Sequence, residues 1–197
     1  MSHGQEQCGS IIQQFGDGKD LGCDLTYKVQ SKAGGIAQAL ALAENFANGD
    51  SICVILGDNI FEQSLAGISA TFKDGAMVFL KKVQDPQRYG VAEFSRKMSM
   101  DSNQVSIISI EEKPKNPKTD YAVTGIYVYD NQVFDIIRGI KPSARGELEI
   151  TDVNNEYVKR NQMVAYLMED DSFWSDAGTF NSYSYVNSYL RSRGENI

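Results

Sequence analysis

Residues 24–30 alternate apolar and polar side chains with a period of two, the pattern of a half-buried strand. Gly34-Gly35 breaks that pattern. Over 36–48 the apolar residues then fall on one helical stripe: Ile36, Leu40, Ala43 and Phe46 or Ala47. Residues 51–56 (S-I-C-V-I-L) form a continuous apolar, β-branched run, which predicts a strand buried on both faces as in a parallel sheet. It stops at Gly57-Asp58-Asn59. A helix is expected over 63–72 and another strand over 76–80. Strand, helix, strand, helix, strand predicts a doubly wound α/β unit with a mainly parallel, Rossmann-like sheet.

Beyond about residue 85 the texture changes. Strand-like runs at 90–94, 105–113 and 121–129 are separated by polar or Pro-containing turns and predict an antiparallel extension of the sheet. Residues 95–103 read as a polar, Met-rich hairpin tip without function. Helices are expected at 132–139 and 149–161, a strand at 163–169, and a last helix over 180–191 capped by Thr179. Tyr183, Tyr185 and Tyr189 on that helix read as core packing rather than as a cofactor box. The 197 residues are expected to form one domain in two parts, about 1–85 and about 86–197. The first twenty residues hold only Ile11-Ile12 and a helix-like fragment, and the strand at 24–30 is too short and polar for the centre of a sheet. A segment ahead of it is therefore expected to be missing.

Composition narrows the chemistry more than the fold. Lys and Arg number 19 against 26 Asp and Glu, a net charge of −7. Coating a nucleic acid takes many cations, so nucleic acid is not an expected partner. Hydrophobic residues make up 42%, enough for a core. No apolar run approaches the ~18 residues of a membrane span, so no membrane association is expected. The polar opening lacks the apolar stretch of a secretory signal. Cys8, Cys23 and Cys53 are odd in number and lack metal-ligand spacing, which reads as reduced thiols in a cytoplasmic protein. The one histidine, His3, argues against His-based triads and His-rich zinc sites.

Four stretches carry candidate chemistry. Asp58 ends an apolar strand, where ligands of open α/β sheets bind; Gly57-Asp58-Asn59 reads either as a turn or as a Mg²⁺ ligand. Asp176, in F-W-S-D-A-G-T, follows a short aromatic strand and could complete a two-carboxylate clamp. Gln30 and Gly35 flank a glycine break between a strand and a helix, where backbone comes close to a ligand and an amide can pair with a pyrimidine. Glu112-Lys113 places an acid beside a base at a strand end, either a solvated hairpin edge or a contact for sugar hydroxyls and phosphate. Arg145 lies in a loop entering a helix, where its planar fork could grip a phosphate. Glu147 and Glu149 in that loop could equally serve the helix dipole.

Taken in order, Y-K-V-Q, G-G-I-A-Q-A, L-G-D-N-I-F, D-P-Q-R-Y-G-V-A-E-F, E-E-K-P, Y-A-V-T-G-I-Y, K-P-S-A-R-G-E-L-E-I-T-D and W-S-D-A-G-T resemble the sugar nucleotidyltransferases over essentially the whole chain. The match is nearest to the members that transfer a thymidylyl group to glucose 1-phosphate. That resemblance implies the nucleotide-diphospho-sugar transferase fold and the conversion of dTTP and α-D-glucose 1-phosphate into dTDP-glucose and pyrophosphate. It also implies Mg²⁺ as cofactor and a place in dTDP-rhamnose synthesis. It puts Gln30, Gly35 and Asp58 at the nucleotide, and the metal on Asp58 and Asp176. Tyr89, Gly90, Glu112, Val123 and Trp174 would line the sugar pocket. Lys113 and Arg145 would be the catalytic cations on the sugar phosphate. The first part of the chain would then serve nucleotide binding and the second sugar binding and closure.

The family's opening strand and its G-G-x-G-T-R-L loop have no counterpart in the 197 residues, so the fold is expected to lack its first βαβ unit. Activity is accordingly expected to be weak or absent. A non-catalytic sugar-nucleotide binder, or a UTP-using uridylyl relative, remains an alternative. Assembly into a homo-oligomer, or with a separate chain that supplies the missing segment, is left open.

Overall fold

Among the described residues the first strand begins only at Ile52, after a stretch that holds helices alone. In the computed structural model, which describes residues 4–95 and 103–194, the helices are α1 (Gly4–Phe15), α2 (Ile36–Ala41), α3 (Glu44–Ala47), α4 (Ala66–Ser69), α5 (Val133–Gly139), α6 (Ile150–Lys159) and α7 (Phe180–Ser192). The strands are β1 (Ile52–Ile55), β2 (Asn59–Phe61), β3 (Ala76–Lys82), β4 (Gly90–Phe94), β5 (Gln104–Glu112), β6 (Tyr121–Tyr129), β7 (Met163–Leu167) and β8 (Trp174–Asp176). Most of the Met-rich tip expected at 95–103, and His3, lie outside the described residues. One compact unit joins Met1–Gly49 to Val133–Val153, and a second joins Asp50–Gln132 to Asn154–Ile197. Residue 85 lies inside the second.

In the first unit, residues 24–30 are not a strand. Among the described residues they pair with no strand; Leu25 N–H donates to the Asp17 carbonyl at 2.9 Å and the Tyr27 hydroxyl to the Gly16 carbonyl at 2.7 Å. Alternation alone cannot make a strand where no partner edge takes up the backbone groups. The single helix expected over 36–48 is two. Leu42 and Ala43 N–H groups bond three residues back, to Ala39 and Leu40, and this tightening separates α2 from α3. Asn48, in the left-handed region at φ 48°, ends α3. Helix α2 buries Ala37 and Leu40 and packs against α5.

The second unit holds every described strand. Its larger sheet runs in the order β1-β6-β3-β7-β5-β4, and β2 pairs with β8 in a separate ribbon. The mainly parallel sheet expected from the sequence is replaced by a mixed one: β3–β7 is parallel, and the other pairs are antiparallel. The cause is β6. This long strand returns between β1 and β3 and opposes both. The run at 51–56 is also corrected. Strand β1 is an edge strand among the described residues, half-buried at Ile52 and Val54 and exposed at Cys53 and Ile55. It is β3 that is buried on both faces, from Ala76 to Lys81.

The helix expected at 63–72 shrinks to the single turn α4, because Ser64, Gly67, Ser69 and Thr71 are all weak helix formers. By contrast β4, β5, β6, α5, α6 and β7 fall close to their expected positions. One face of the sheet buries Met77, Phe79, Ile126 and Val128 with Met168 and Trp174. Helix α7 starts as expected at Thr179, whose hydroxyl accepts from Ser182 N–H at 3.1 Å in a reciprocal capping box. Thr179→Ala is expected to cost about 1 kcal/mol, read as a lowered urea midpoint at constant slope. Tyr189 stacks on Phe173 at 3.6 Å and the Tyr185 ring lies 5.7 Å from the same ring, but Tyr183 and Tyr185 stay more than half exposed, so the aromatic stripe is core packing only in part.

Candidate active site

The β2–β8 ribbon is what brings the two aspartates together. Asn59 pairs with Asp176 in register, and Ala177 N–H donates to the Asp58 carbonyl at 2.7 Å. Asp58 therefore stands just before β2 while Asp176 closes β8, on facing strands. A Cβ placed on Gly178 would meet Asp58 Oδ2 at 3.1 Å and Asp176 Oδ2 at 3.4 Å, so both carboxylates border one point that glycine leaves empty. This donor set fits a small divalent cation. Mg²⁺ takes one or two carboxylates and completes its shell with water and phosphate oxygens. Among the described residues no group of three or more metal-ligating side chains gathers. The pair thus suits an ion that shares its ligands with a substrate rather than a closed structural cage.

Neighbouring groups hold both acids in place. Asn59 Nδ2 donates to Asp58 Oδ1 at 2.8 Å, while its Oδ1 accepts from Gly125 N–H at 3.0 Å and from the Trp174 indole at 2.9 Å. Gly125 has no side chain, and a Cβ there would lie 2.4 Å from the Asn59 amide. On the other side, the Tyr89 hydroxyl donates to Asp176 Oδ1 at 2.9 Å, and Arg88 bridges Asp176 at 3.2 Å and Asp85 at 2.9 Å. Burial, reinforced by the bond to Asp176, pushes the Tyr89 phenol well above its ordinary range, so it remains a donor near neutral pH. Asn59 and Arg88 were not singled out from the sequence. Both stand inside motifs that carried the resemblance, L-G-D-N-I-F and D-P-Q-R-Y-G.

The expected sugar residues all fall in the second unit, and of them Tyr89 bonds to the pair directly and Trp174 reaches it through Asn59. The Tyr89 and Trp174 rings meet edge to face, with centroids 5.4 Å apart. Gly90 pairs in register with Glu112, and Lys113 N–H donates to the Tyr89 carbonyl at 3.0 Å, which ties the ends of β4 and β5 together. Lys113 has a left-handed backbone (φ 45°), and its ammonium lies 3.9 Å from Glu112. Val123 is buried in β6, two residues before Gly125.

In the first unit, Gln30 donates its amide to Gln38 Oε1 at 2.9 Å and to the Gly35 carbonyl at 3.3 Å. The Arg145 guanidinium is engaged by Glu149 at 2.8 Å and Glu147 at 3.5 Å.

The site is thus framed by a mixed sheet, a two-stranded ribbon that brings two carboxylates together, and the Tyr89 and Trp174 rings. The chain belongs to the nucleotidyl transferase family, whose model matches residues 3–193. Among its relatives, the glucose-1-phosphate thymidylyltransferase of Neisseria meningitidis is 39% identical over 191 residues, covering 94% of this chain and 64% of the relative. The enzyme of that name from Mycolicibacterium smegmatis is 39% identical over 180 residues, covering 90% and 60%. The chain thus spans a little under two thirds of these relatives. A solved glucose-1-phosphate thymidylyltransferase from Bacillus anthracis, in complex with a sucrose, superposes with a TM-score of 0.83 at 47% identity, covering 96% of this chain and 73% of that one. A UDP-glucose pyrophosphorylase complexed with UDP-glucose shares the fold at TM-score 0.77 and 21% identity. Among the described residues no helix is long and apolar enough to cross a membrane.

Proposed function

We propose that the protein serves nucleotidyl transfer from dTTP to α-D-glucose 1-phosphate, giving dTDP-glucose and pyrophosphate. The observation that carries this reading is the convergence of Asp58 and Asp176 on one point, in a chain whose relatives bear that activity's name. A phosphate oxygen of the sugar phosphate attacks the α-phosphorus in line. The bond from the α-phosphorus to the bridging oxygen breaks, and pyrophosphate leaves with that electron pair. No protein nucleophile is needed, so catalysis is positioning and charge neutralisation.

In this reading Asp58 and Asp176 hold Mg²⁺, which supplies charge neutralisation at the phosphates when bound. Lys113 and Arg145 take the sugar phosphate, Arg145 by exchanging its glutamate partners for phosphate oxygens. Tyr89, Gly90, Glu112, Val123 and Trp174 receive the sugar, with Glu112 accepting from its hydroxyls. Gln30 and Gly35 take the base, and Gln30 must turn its amide away from Gln38 to do so. The triphosphate loop G-G-x-G-T-R-L does not occur within the 197 residues. Turnover by these residues alone is therefore expected to be weak or absent.

Trp174 is the one tryptophan, which makes its fluorescence a local reporter. Titration with dTDP-glucose and Mg²⁺ is expected to give a saturable change, with Asp176→Asn weakening the Mg²⁺ dependence by about tenfold or more. A parallel assay of dTDP-glucose formation separates a binder from an enzyme, and UDP-glucose in the same titration tests the choice of nucleotide. If Trp174 does not respond to either sugar nucleotide, the reading is wrong.

A further inference from the structure

We infer that Lys81 is a positioning residue: through the loop that precedes β8, its ammonium sets the place of Trp174 and Asp176. The inference rests on the cation-and-sugar reading above. Lys81 sits near the end of the doubly buried β3 and is only 8% exposed, unusual for an aliphatic cation. Its Nζ lies 2.5 Å from the Glu169 carbonyl, 3.0 Å from that of Asp170 and 2.7 Å from that of Ser172. An ammonium has three N–H donors and no acceptor, so three carbonyls converging on it use its whole capacity.

All three acceptors are backbone atoms. The lysine therefore fixes the path of the chain and not the rotamer of one side chain. That path leads directly into the site. Phe173 follows Ser172; its N–H donates to Glu62 Oε2 at 3.1 Å and its ring stacks on Tyr189. Trp174 and Asp176 come next in β8, paired in register with Phe61 and Asn59. A β7–β8 loop left unclamped would carry Trp174 off the Tyr89 ring and Asp176 away from Asp58.

Electrostatics agree with a deliberate placement. Burial opposes the charge and holds the Lys81 pKa below its ordinary value, while Asp170, Asp171 and Glu169 favour the charged form. The charge is retained in the core because the carbonyls replace its water.

The test compares the intact chain with Lys81→Met, which fills the space but donates nothing, and with Lys81→Arg, which keeps the charge and the donors. Backbone hydrogen exchange and the affinity for Mn²⁺, a paramagnetic probe of the carboxylate pair, are the readouts. In Lys81→Met, amides of 170–176 are expected to exchange about tenfold faster while the β3–β6 ladder stays within about twofold, because the opening is local. Mn²⁺ binding should weaken about tenfold and recover substantially in Lys81→Arg. If Lys81→Met does not fold, Lys81→Gln, which loses the charge and keeps two N–H donors, is compared in its place, with a smaller change of the same kind expected. Unchanged exchange at 170–176, equal acceleration throughout the sheet, or no recovery with arginine would each overturn the positioning role. A wild-type chain that binds no Mn²⁺ would instead overturn the cation reading, and the exchange data would still decide the clamp.

Discussion

Raising the pH above about 10 will unfold the second unit cooperatively, and the three phenols of its buried stack will ionise together with the loss of structure rather than before it. Three phenols form one buried stack: Tyr127 on Tyr129, with centroids 5.9 Å apart, and Tyr129 on Tyr157, at 5.8 Å. The Tyr129 hydroxyl donates to Asn154 at 2.6 Å and that of Tyr157 to Asp130 at 2.7 Å. Burial is the main cause that raises all three pKa values, assisted by the Glu112 and Asp58 carboxylates at Tyr127 and by the Asp130 bond at Tyr157.

The sign follows from proton counts. Above the unfolded value of about 10 the unfolded chain has released protons that the native state still holds, so stability falls as pH rises. It is intact below that value and lost on the way up to the native ones. Each phenol contributes about 1.4 kcal/mol per pH unit, so three remove about 4 kcal/mol per unit. A domain of ordinary stability, roughly 5–15 kcal/mol, is then exhausted within a few units. Tyr129→Phe should flatten this slope by about a third while sacrificing the bond to Asn154. Tyrosinate forming from all three near pH 10 with circular dichroism unchanged would show the stack to be open to water.

Local signals were readable wherever a segment's own chemistry decided its state. Thr179 ahead of a helical stripe announced α7, and the alternations in β4, β5 and β6 announced strands. What the sequence hid was partnership. The run I-C-V-I is as apolar as A-M-V-F-L, yet β1 lies at an edge and β3 at the centre, because the position of β6 between them is a tertiary fact. The same return strand made the sheet mixed, since strand polarity depends on which neighbour the chain comes back to. Residues 24–30 had the period of a strand and, among the described residues, no strand beside them.

The site divides in a similar way. Asp58 and Asp176 could be singled out because each stood at the end of a short apolar strand, and their meeting is enforced by the β2–β8 ribbon. Strand β2 itself was not foreseen, being three residues long in what reads as a turn. Asn59, which joins Asp58 to Trp174 and to β6, owes its role to that ribbon and to the bare Cα of Gly125. Lys81 was invisible for a plain reason: in sequence it is one of two lysines ending a strand, and only its carbonyl partners, some ninety residues later, distinguish it.

Gly35→Ala is expected to destabilise the first unit by roughly 3–5 kcal/mol, combining backbone strain with overlap. Gly35 sits at φ 95° and ψ 169°, a region essentially reserved for glycine, at the N-terminus of α2. A Cβ there would lie 2.4 Å from the Leu148 carbonyl oxygen and 2.9 Å from the Leu148 nitrogen, both backbone atoms that cannot swing aside. The same stretch accepts from Leu148 N–H at the Gly34 carbonyl, at 2.8 Å, and Ala37 N–H returns to the Leu148 carbonyl at 3.3 Å, so the clash falls on a hydrogen-bonded junction. Gly34 provides the control. Its added Cβ would meet only the end of the Gln38 side chain, which can move at the cost of its bond from Gln30. Gly34→Ala should therefore cost about 1 kcal/mol, the price of one hydrogen bond. Urea denaturation of the two variants, followed by far-ultraviolet circular dichroism, compares them directly. Equal costs would mean that Gly35 is not needed for the backbone, and its place in the chain would then be owed to a ligand that approaches it.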